Sequence, residues 1–405
     1  MSNSLHPKLS KRIALIKPSP TMAVTKLAAE LRAEGKNVIG LGAGEPDFDT
    51  PEHIKKAGIE SIKQGKTKYT AVDGTPDLKQ AVLKKFQKDN NLNFNSEEII
   101  ISAGGKQVLF NALLCSLDPD DEVIIPSPYW VSYPDMVTLA GGKPVIVDGK
   151  QVNGFKVLSE QIEGLITNKT KWLIINSPSN PTGATYSKEE LITIGEMLLK
   201  YEQVGVISDD IYEKIIYDNN KFYNISALVP NLKSRTITVN GVSKAYAMTG
   251  WRIGYAGGPK EIIKAMAKLQ SQSTSNPSSI SQAAALEALE ASDDFLIKRN
   301  EQFKIRRDMV VSNLNECKGI SCDLPTGAFY VFPSFSGLIG KKTPTGKTIS
   351  NAIEFSSYLL ENKGVAVVPG SAFGAEGFFR ISYATSDKIL EEACNRIKDA
   401  CSLLG

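Results

Sequence analysis

An α/β fold, with a large domain built on a mainly parallel central sheet and a smaller α/β domain after it, is predicted by three observations. Short runs rich in Ile and Val alternate along the chain with amphipathic stretches of helical period. The runs lack the polar alternation of a half-exposed strand, which marks strands covered on both faces by helices. Near residue 295 the pattern changes, and a long helix of mixed charge leads into shorter strands.

In order, the candidate strands are EIIIS (98–102), EVIIP (122–126), PVIVD (144–148), KWLIIN (171–176), VGVISD (204–209), TITVN (236–240) and RIGYAGG (252–258). KQVLFNALLCSL after Gly105 and KEELITIGEMLLKYEQ after Ser187 read as helices between them, which delimits a large domain over 47–295. Beyond it, Phe295 to Asn315 reads as a helix, GAFYVFP, GVAVVPG and FFRISYA as strands, and Asp387 to Leu404 as a terminal helix. The Gly-, Lys- and Thr-rich stretch 336–351 reads as an exposed loop.

Composition removes several function classes. A net charge of +3 without a basic block argues against a nucleic-acid surface. No apolar run approaches the roughly 20 residues of a membrane span, and the N-terminus lacks a secretion signal. Five cysteines, none in a C-x-x-C pair, fit a reducing cytoplasm rather than a disulfide scaffold. With two histidines, His6 and His53, a multi-histidine metal site is excluded and a Ser-His-Asp triad lacks candidates. GKKTPTGKT imitates a phosphate loop at the wrong spacing. Gly40, Gly42 and Gly44 imitate a dinucleotide loop, but Glu45 stands where the third glycine is needed. The chemistry must come from lysine, carboxylate, tyrosine or a cofactor.

The segment GVSKAYAMTGWRIG, Gly241 to Gly254, is the most informative. Lys244 follows the strand TITVN, where α/β folds present chemistry, with Ser243 beside it and Arg252 eight residues on. An amine nucleophile next to a hydroxyl and a cation suits pyridoxal 5′-phosphate (PLP), whose aldehyde condenses with lysine and whose phosphate needs such partners. Gly104 and Gly105, with Lys106, sit between a strand and a helix, where backbone N–H groups can hold a phosphate; an ordinary turn would look the same. Asp209 ends the strand VGVISD and is a candidate partner for a pyridinium nitrogen; Asp210 competes, and either could instead cap a helix.

Eight collinear segments carry a resemblance to a known family. They are LGAGEPDFDTPEHI, GKTKYTAVDG, ISAGGKQ, IIPSPYWVSYPDM, NSPSNPTG, SDDIYEKIIY, GVSKAYAMTGWRIG and FFRISYATS. In these segments the chain resembles the class I aminotransferases, PLP-dependent transferases of fold type I, in their bacterial and plastid-type aspartate aminotransferase branch. The resemblance implies an N-terminal arm (1–25), a large PLP-binding domain (47–295) and a discontinuous small domain (26–46 and 296–405).

It also implies roles. Lys244 holds PLP, Asp209 rather than Asp210 pairs with the ring nitrogen, and Tyr212 and Asn180 donate to the ring oxygen. Trp130 stacks on the ring, and Ser243, Arg252, Gly104 and Gly105 hold the phosphate. Arg380 and the Gly44 N–H bind the substrate α-carboxylate. Tyr69 reaches the phosphate of a second subunit, so a homodimer with shared active sites is expected. Lys106 binds the distal carboxylate, and Thr21 with Lys106 is the pair associated with prephenate as a further acceptor. The activity implied is transfer of the amino group of L-aspartate to 2-oxoglutarate, with small molecules as partners. The alternative is a related aminotransferase preferring aromatic, alanine or kynurenine donors.

Overall fold

The computed structural model describes residues 9–16, 18 and 20–405, without the side chains of Pro20 and Thr21. Strand β1 (Ile39–Gly40) precedes seven others: β2 (Ile99–Ser102), β3 (Glu122–Ser127), β4 (Lys143–Asp148), β5 (Thr170–Asn176), β6 (Gly205–Asp209), β7 (Thr236–Gly241) and β8 (Gly254–Gly257). Four short strands follow, β9 (Tyr330–Val331), β10 (Val365–Ala366), β11 (Val368–Pro369) and β12 (Phe379–Ser382).

Strands β2 to β8 form one sheet in the order β2-β8-β7-β6-β5-β3-β4. β3 to β7 pair in parallel, and β8 alone runs against its neighbours β2 and β7. Alternate residues of the strands enter two different cores. Val123, Ile125 and Ile207 pack with Val108 and Leu109 of the helix Gly105–Ser116 and with Met266 of the helix Lys260–Ser271. Ile124, Leu173 and Val206 pack on the opposite face with Leu191 and Ile194 of the helix Lys188–Leu198. Each such side chain contributes about 1.5–3 kcal/mol by leaving water, so both layers are held by the same strands. The edge strand β4 is the exception, with Ile146 39 % exposed.

The antiparallel pairing of β8 is what brings Lys244 and Arg252 together. β7 delivers the chain to the sheet's carboxyl edge at Gly241, and Gly254 returns it there, paired with both Gly241 and Ser102. The loop between them therefore begins and ends on the edge where β2 and β6 also finish. A Cβ on Gly254 would fall on the backbone of Gly104 and Gly105, so only glycine lets β8 lie against that turn.

Gln270 fixes the same corner from behind. It is fully buried; its Nε2 donates to the carbonyls of Val72 (2.7 Å) and Ile101 (2.9 Å). Its Oε1 accepts from Ser102 Oγ (2.6 Å) and Asn111 Nδ2 (3.1 Å). All of its hydrogen-bonding capacity is used, which removes the cost of burying an amide.

The C-terminal part has its own core. β12 lies between β11 and β9 in an antiparallel sheet, and β1 pairs in parallel with β10. Ile39 and Leu41 share a hydrophobic cluster with Leu314, Phe355, Phe379 and Ile397, which ties the 39–41 segment to the helices Phe295–Asn315, Ala352–Lys363 and Asp387–Ser402.

Several sequence expectations need correction. RIGYAGG becomes a strand only from Gly254, because Arg252 adopts left-handed backbone (φ +56°). GAFYVFP shrinks to Tyr330–Val331, since Ala328 also has positive φ, and GVAVVPG divides at Val367 into β10 and β11. The stretch 336–351 is not wholly an exposed loop: Leu338 and Ile349 are buried in the C-terminal core and pin it at both ends. No helix among the described residues is long and apolar enough to cross a membrane.

Replacing Gln270 with Leu would strand the Ile101 and Val72 carbonyls and the Ser102 and Asn111 side chains. A loss of about 2–4 kcal/mol in unfolding free energy is expected from denaturant titration, because several buried polar groups lose partners at once.

Candidate active site

The carboxyl edge of the sheet opens onto a cavity of about 470 Å³ that also reaches the C-terminal part of the chain. Lys244 and Ser243 enter it from the loop after β7, Asp209 from the end of β6, and Asn176 from the end of β5. Gly105 and Lys106 come from the first turn of a helix, Arg252 from the loop two residues before β8, and Arg380 from β12.

Two cationic poles share the cavity with Lys244. The first is the turn before the helix Gly105–Ser116. Gly104 has φ +93° and caps that helix, and a Cβ there would fall on the Arg252 guanidinium. Arg252 is itself held by the carbonyls of Thr249 (2.8 Å) and Ala103 (3.3 Å). A helix start, a buried Ser243 and a tethered guanidinium form a place for a phosphate group. The second pole is Arg380, 2 % exposed, whose Nη1 donates to Asn180 Oδ1 (2.9 Å) and Nη2 to the Gly42 carbonyl (2.6 Å). Its Nε is buried and has no hydrogen-bond partner among the described residues, so a donor stands ready for a carboxylate.

Lys244 Nζ donates to the Gly44 carbonyl (2.5 Å) and lies 5.8 Å from the centre of the Tyr212 ring. Burial, reinforced by the Arg380 and Arg252 charges, pushes this amine down to about 8. Gly44 meets the lysine through its carbonyl, which supplies the acceptor that a half-buried amine needs.

The choice between the two aspartates is made by their partners. Asp209 accepts from Tyr133 Oη (2.6 Å) and faces the cavity, while burial raises its carboxyl to about 6. Asp210 turns away and accepts from Ser208 Oγ (2.6 Å) and Asn224 Nδ2 (2.7 Å), which makes it part of the scaffold. Trp130 lines the cavity edge-on to Tyr133, with Lys106 Nζ 4.8 Å from its ring centre. Burial and the Arg252 charge lower the Lys106 amine.

Tyr69, expected to reach the site of a second subunit, is 91 % exposed and does not line this cavity. The backbone of Thr21 belongs to the helix Pro20–Ala33, but its side chain lies outside the described residues, as does His6. Conversely, Tyr133, Asn176 and Tyr330 line the cavity and were missed. Tyr133 sits in the quoted segment SPYWVSY, yet nothing in its spacing indicates that its hydroxyl meets Asp209, which lies 76 positions away. Glu213, next to Tyr212, was also missed. It forms a buried ion pair with Lys85 and accepts from Asn90 Nδ2 (2.6 Å), anchoring the Tyr212 segment from behind. No group of three or more His, Cys, Asp or Glu side chains among the described residues could hold a metal ion.

With this geometry in place, comparison with known proteins assigns the family. Residues 36–397 match the family described as aminotransferase class I and II. The chain belongs to that family. It is 56 % identical over 394 residues to an aspartate/prephenate aminotransferase of Cereibacter sphaeroides, covering 97 % of this chain and 98 % of that one. The aminotransferase fold of this chain is similar to the crystal structure of an aspartate aminotransferase from Rhizobium meliloti (TM-score 0.96, 54 % identity, 99 % and 100 % of the two chains covered). It is also similar to an aspartate aminotransferase from Thermus thermophilus with maleate (TM-score 0.91, 45 % identity, 98 % and 100 % covered).

The depressed Lys244 amine has a sign that can be tested. Its folded value, about 8, lies below the ordinary 10.5, so the amine is neutral above pH 8 in the folded chain. Between these values the unfolded chain holds a proton that the folded chain lacks. The cost of burial is therefore complete below pH 8 and is relieved as pH rises through the window. In cofactor-free protein, acylation of Lys244 followed by peptide mass spectrometry is expected to accelerate with a midpoint near pH 8. A midpoint at the ordinary lysine value would contradict the geometry.

Proposed function

We propose that this aminotransferase binds PLP at Lys244 and moves the amino group of L-aspartate to 2-oxoglutarate, giving oxaloacetate and L-glutamate by a ping-pong sequence. The observation that carries the reading is one half-buried amine that shares a cavity with a phosphate pole at Gly104–Arg252 and a carboxylate pole at Arg380.

The residues present fit the cofactor. Gly104 leaves room beside Arg252 and Ser243 for a phosphate, and Trp130 offers a face for a flat ring. Asp209 is a carboxylate left with an unfavourable buried charge, which a ring N⁺–H would offset. Asn180 uses Oδ1 for Arg380, so its amide N–H₂ is the donor end. PLP, when bound, supplies an aldehyde that condenses with amines and a ring that withdraws electrons from the substrate α-carbon.

The chain's own work is then positional and protonic. Arg380 binds the α-carboxylate through the Nε that protein groups leave unpartnered. Lys244 Nζ, whose hold on its proton burial weakens toward about 8, takes the α-proton as a general base and returns a proton as a general acid. Tyr212 steadies the ring oxygen from the buried side. Lys106, at the cavity edge above Trp130, meets the distal carboxylate of a dicarboxylic substrate. The maleate of the Thermus structure and the names of the relatives support a dicarboxylate. The same Lys106, with Thr21, supports prephenate as a further acceptor, in keeping with the name of the Cereibacter relative.

In this reading residues 47–295 hold the cofactor, while 26–46 and 296–405 act as one discontinuous unit that carries Arg380. The protein works in the cytoplasm as a homodimer. Exposed Tyr69, together with exposed Ile59 and Ile62 on the nearby helix Glu52–Lys63, supports a partner subunit there.

Lys244→Ala is expected to abolish both the visible absorbance that PLP gives with the purified chain and transamination; a variant keeping both would overturn the assignment. Lys106→Ala is expected to raise KM for aspartate and 2-oxoglutarate by about tenfold or more, while an amino acid without a distal carboxylate changes little, as a steady-state donor panel would show.

A further inference from the structure

Tyr330 belongs to none of the segments that pointed to the site, yet it touches three of the groups assembled there. Its side chain is fully buried on β9. Its hydroxyl lies 2.9 Å from the Tyr212 hydroxyl, with the two rings edge-to-face at 5.8 Å. The Arg380 guanidinium lies 4.6 Å from the centre of the Tyr330 ring and 5.0 Å from that of Phe373. A Cβ on Gly44 would come within 3.0 Å of the Tyr330 hydroxyl, so the loop that accepts from Lys244 also packs against it.

We propose that Tyr330 is a positioning residue with two separable jobs, its ring orienting Arg380 for the substrate carboxylate and its hydroxyl aligning Tyr212 toward the cofactor ring. The inference rests on the PLP reading above. A guanidinium between two aromatic faces is fixed in plane as well as attracted. Held so, with Nη1 on Asn180 and Nη2 on Gly42, Arg380 keeps its Nε edge for the ligand. The hydroxyl pair gains a direction once the cofactor is bound. Tyr212 then donates to the ring oxygen, so its own oxygen must accept, and the donor within reach is Tyr330 Oη. Donation into Tyr212 polarises its O–H and strengthens its hold on a negatively charged ring oxygen. One side chain thereby serves both recognition, on the C-terminal sheet, and chemistry, on the central sheet.

The two jobs predict different responses. Tyr330→Phe keeps the ring and removes the hydroxyl. The pH midpoint of the bound cofactor's visible absorbance is expected to rise by about 0.4–1 pH unit, because the unprotonated form loses part of its stabilisation. kcat is expected to fall by about threefold to tenfold while KM for the dicarboxylate holds. Tyr330→Leu also removes the face over Arg380 and is expected to raise KM by about tenfold. The charged groups around the two hydroxyls are Arg380, Asp209 and Glu45, with Lys244 over the Tyr212 ring, and they are unchanged in each variant.

The deciding measurement is a double-mutant cycle on purified holoenzyme. In a Tyr212→Phe background, Tyr330→Phe is expected to leave the spectroscopic midpoint where Tyr212→Phe alone puts it, since the recipient of its hydrogen bond is gone. Equal midpoint shifts in both backgrounds, or no shift in either, would overturn the hydroxyl's role, and an unchanged KM in Tyr330→Leu would overturn the ring's. If the unsubstituted chain gives no visible absorbance with PLP, the function reading itself fails and this inference with it. An absorbance that forms normally but ignores Tyr330 removes this inference alone.

Discussion

The half-buried amine of Lys244 shares one cavity with two guanidiniums, and most of the surrounding architecture answers to that arrangement. Left alone, the four cations that line this cavity of about 470 Å³, Lys106 included, would repel, and burial would disfavour each charge. The chain relieves this locally. Lys244 leans on the Gly44 carbonyl, Arg380 on Asn180 and Gly42, and Arg252 on Thr249 and Ala103. The remaining imbalance shows as an amine near 8 and an aspartate near 6, two groups drawn toward each other's range by burial. A ligand that brings a phosphate, a carboxylate and a ring cation would satisfy all of them at once. Stability given up in the free chain is thereby returned as selectivity for what binds.

Much of this arrangement was legible in the sequence, for definable reasons. The buried strands read as runs of Ile and Val because both faces are covered, and their boundaries fell within a residue or two for β2 to β7. The helix Phe295–Asn315 showed through its length and mixed charge. Lys244, Asp209 and Gly104 could be located because each sits at a strand end, and strand ends share one edge of a parallel sheet. The short strands of the C-terminal part were blurred, because two-residue pairings set by positive-φ residues such as Ala328 leave no periodic trace.

What the sequence hid were the contacts made across the fold. Tyr133 meets Asp209, Tyr330 meets Tyr212 and Gln270 meets Ser102 through pairings separated by 76, 118 and 168 positions. Hydroxyls and amides of this kind lack a periodic signature, and their partners are chosen by packing. The cysteines show the opposite case. Four of the five are buried as ordinary small hydrophobes in the C-terminal core, in line with the absence of any paired spacing.

The reversed strand β8 has a mechanical consequence. Lys244 and Arg252 hang from adjacent hydrogen-bonded strands, so separating them would mean tearing the central ladder. Arg380 hangs from a different sheet altogether. Whatever is gripped by the first two rides on a single stiff body, whereas whatever is gripped by the third can be let go by a modest shift of its own support. Such a machine can exchange its fuel at every turnover without loosening its tool.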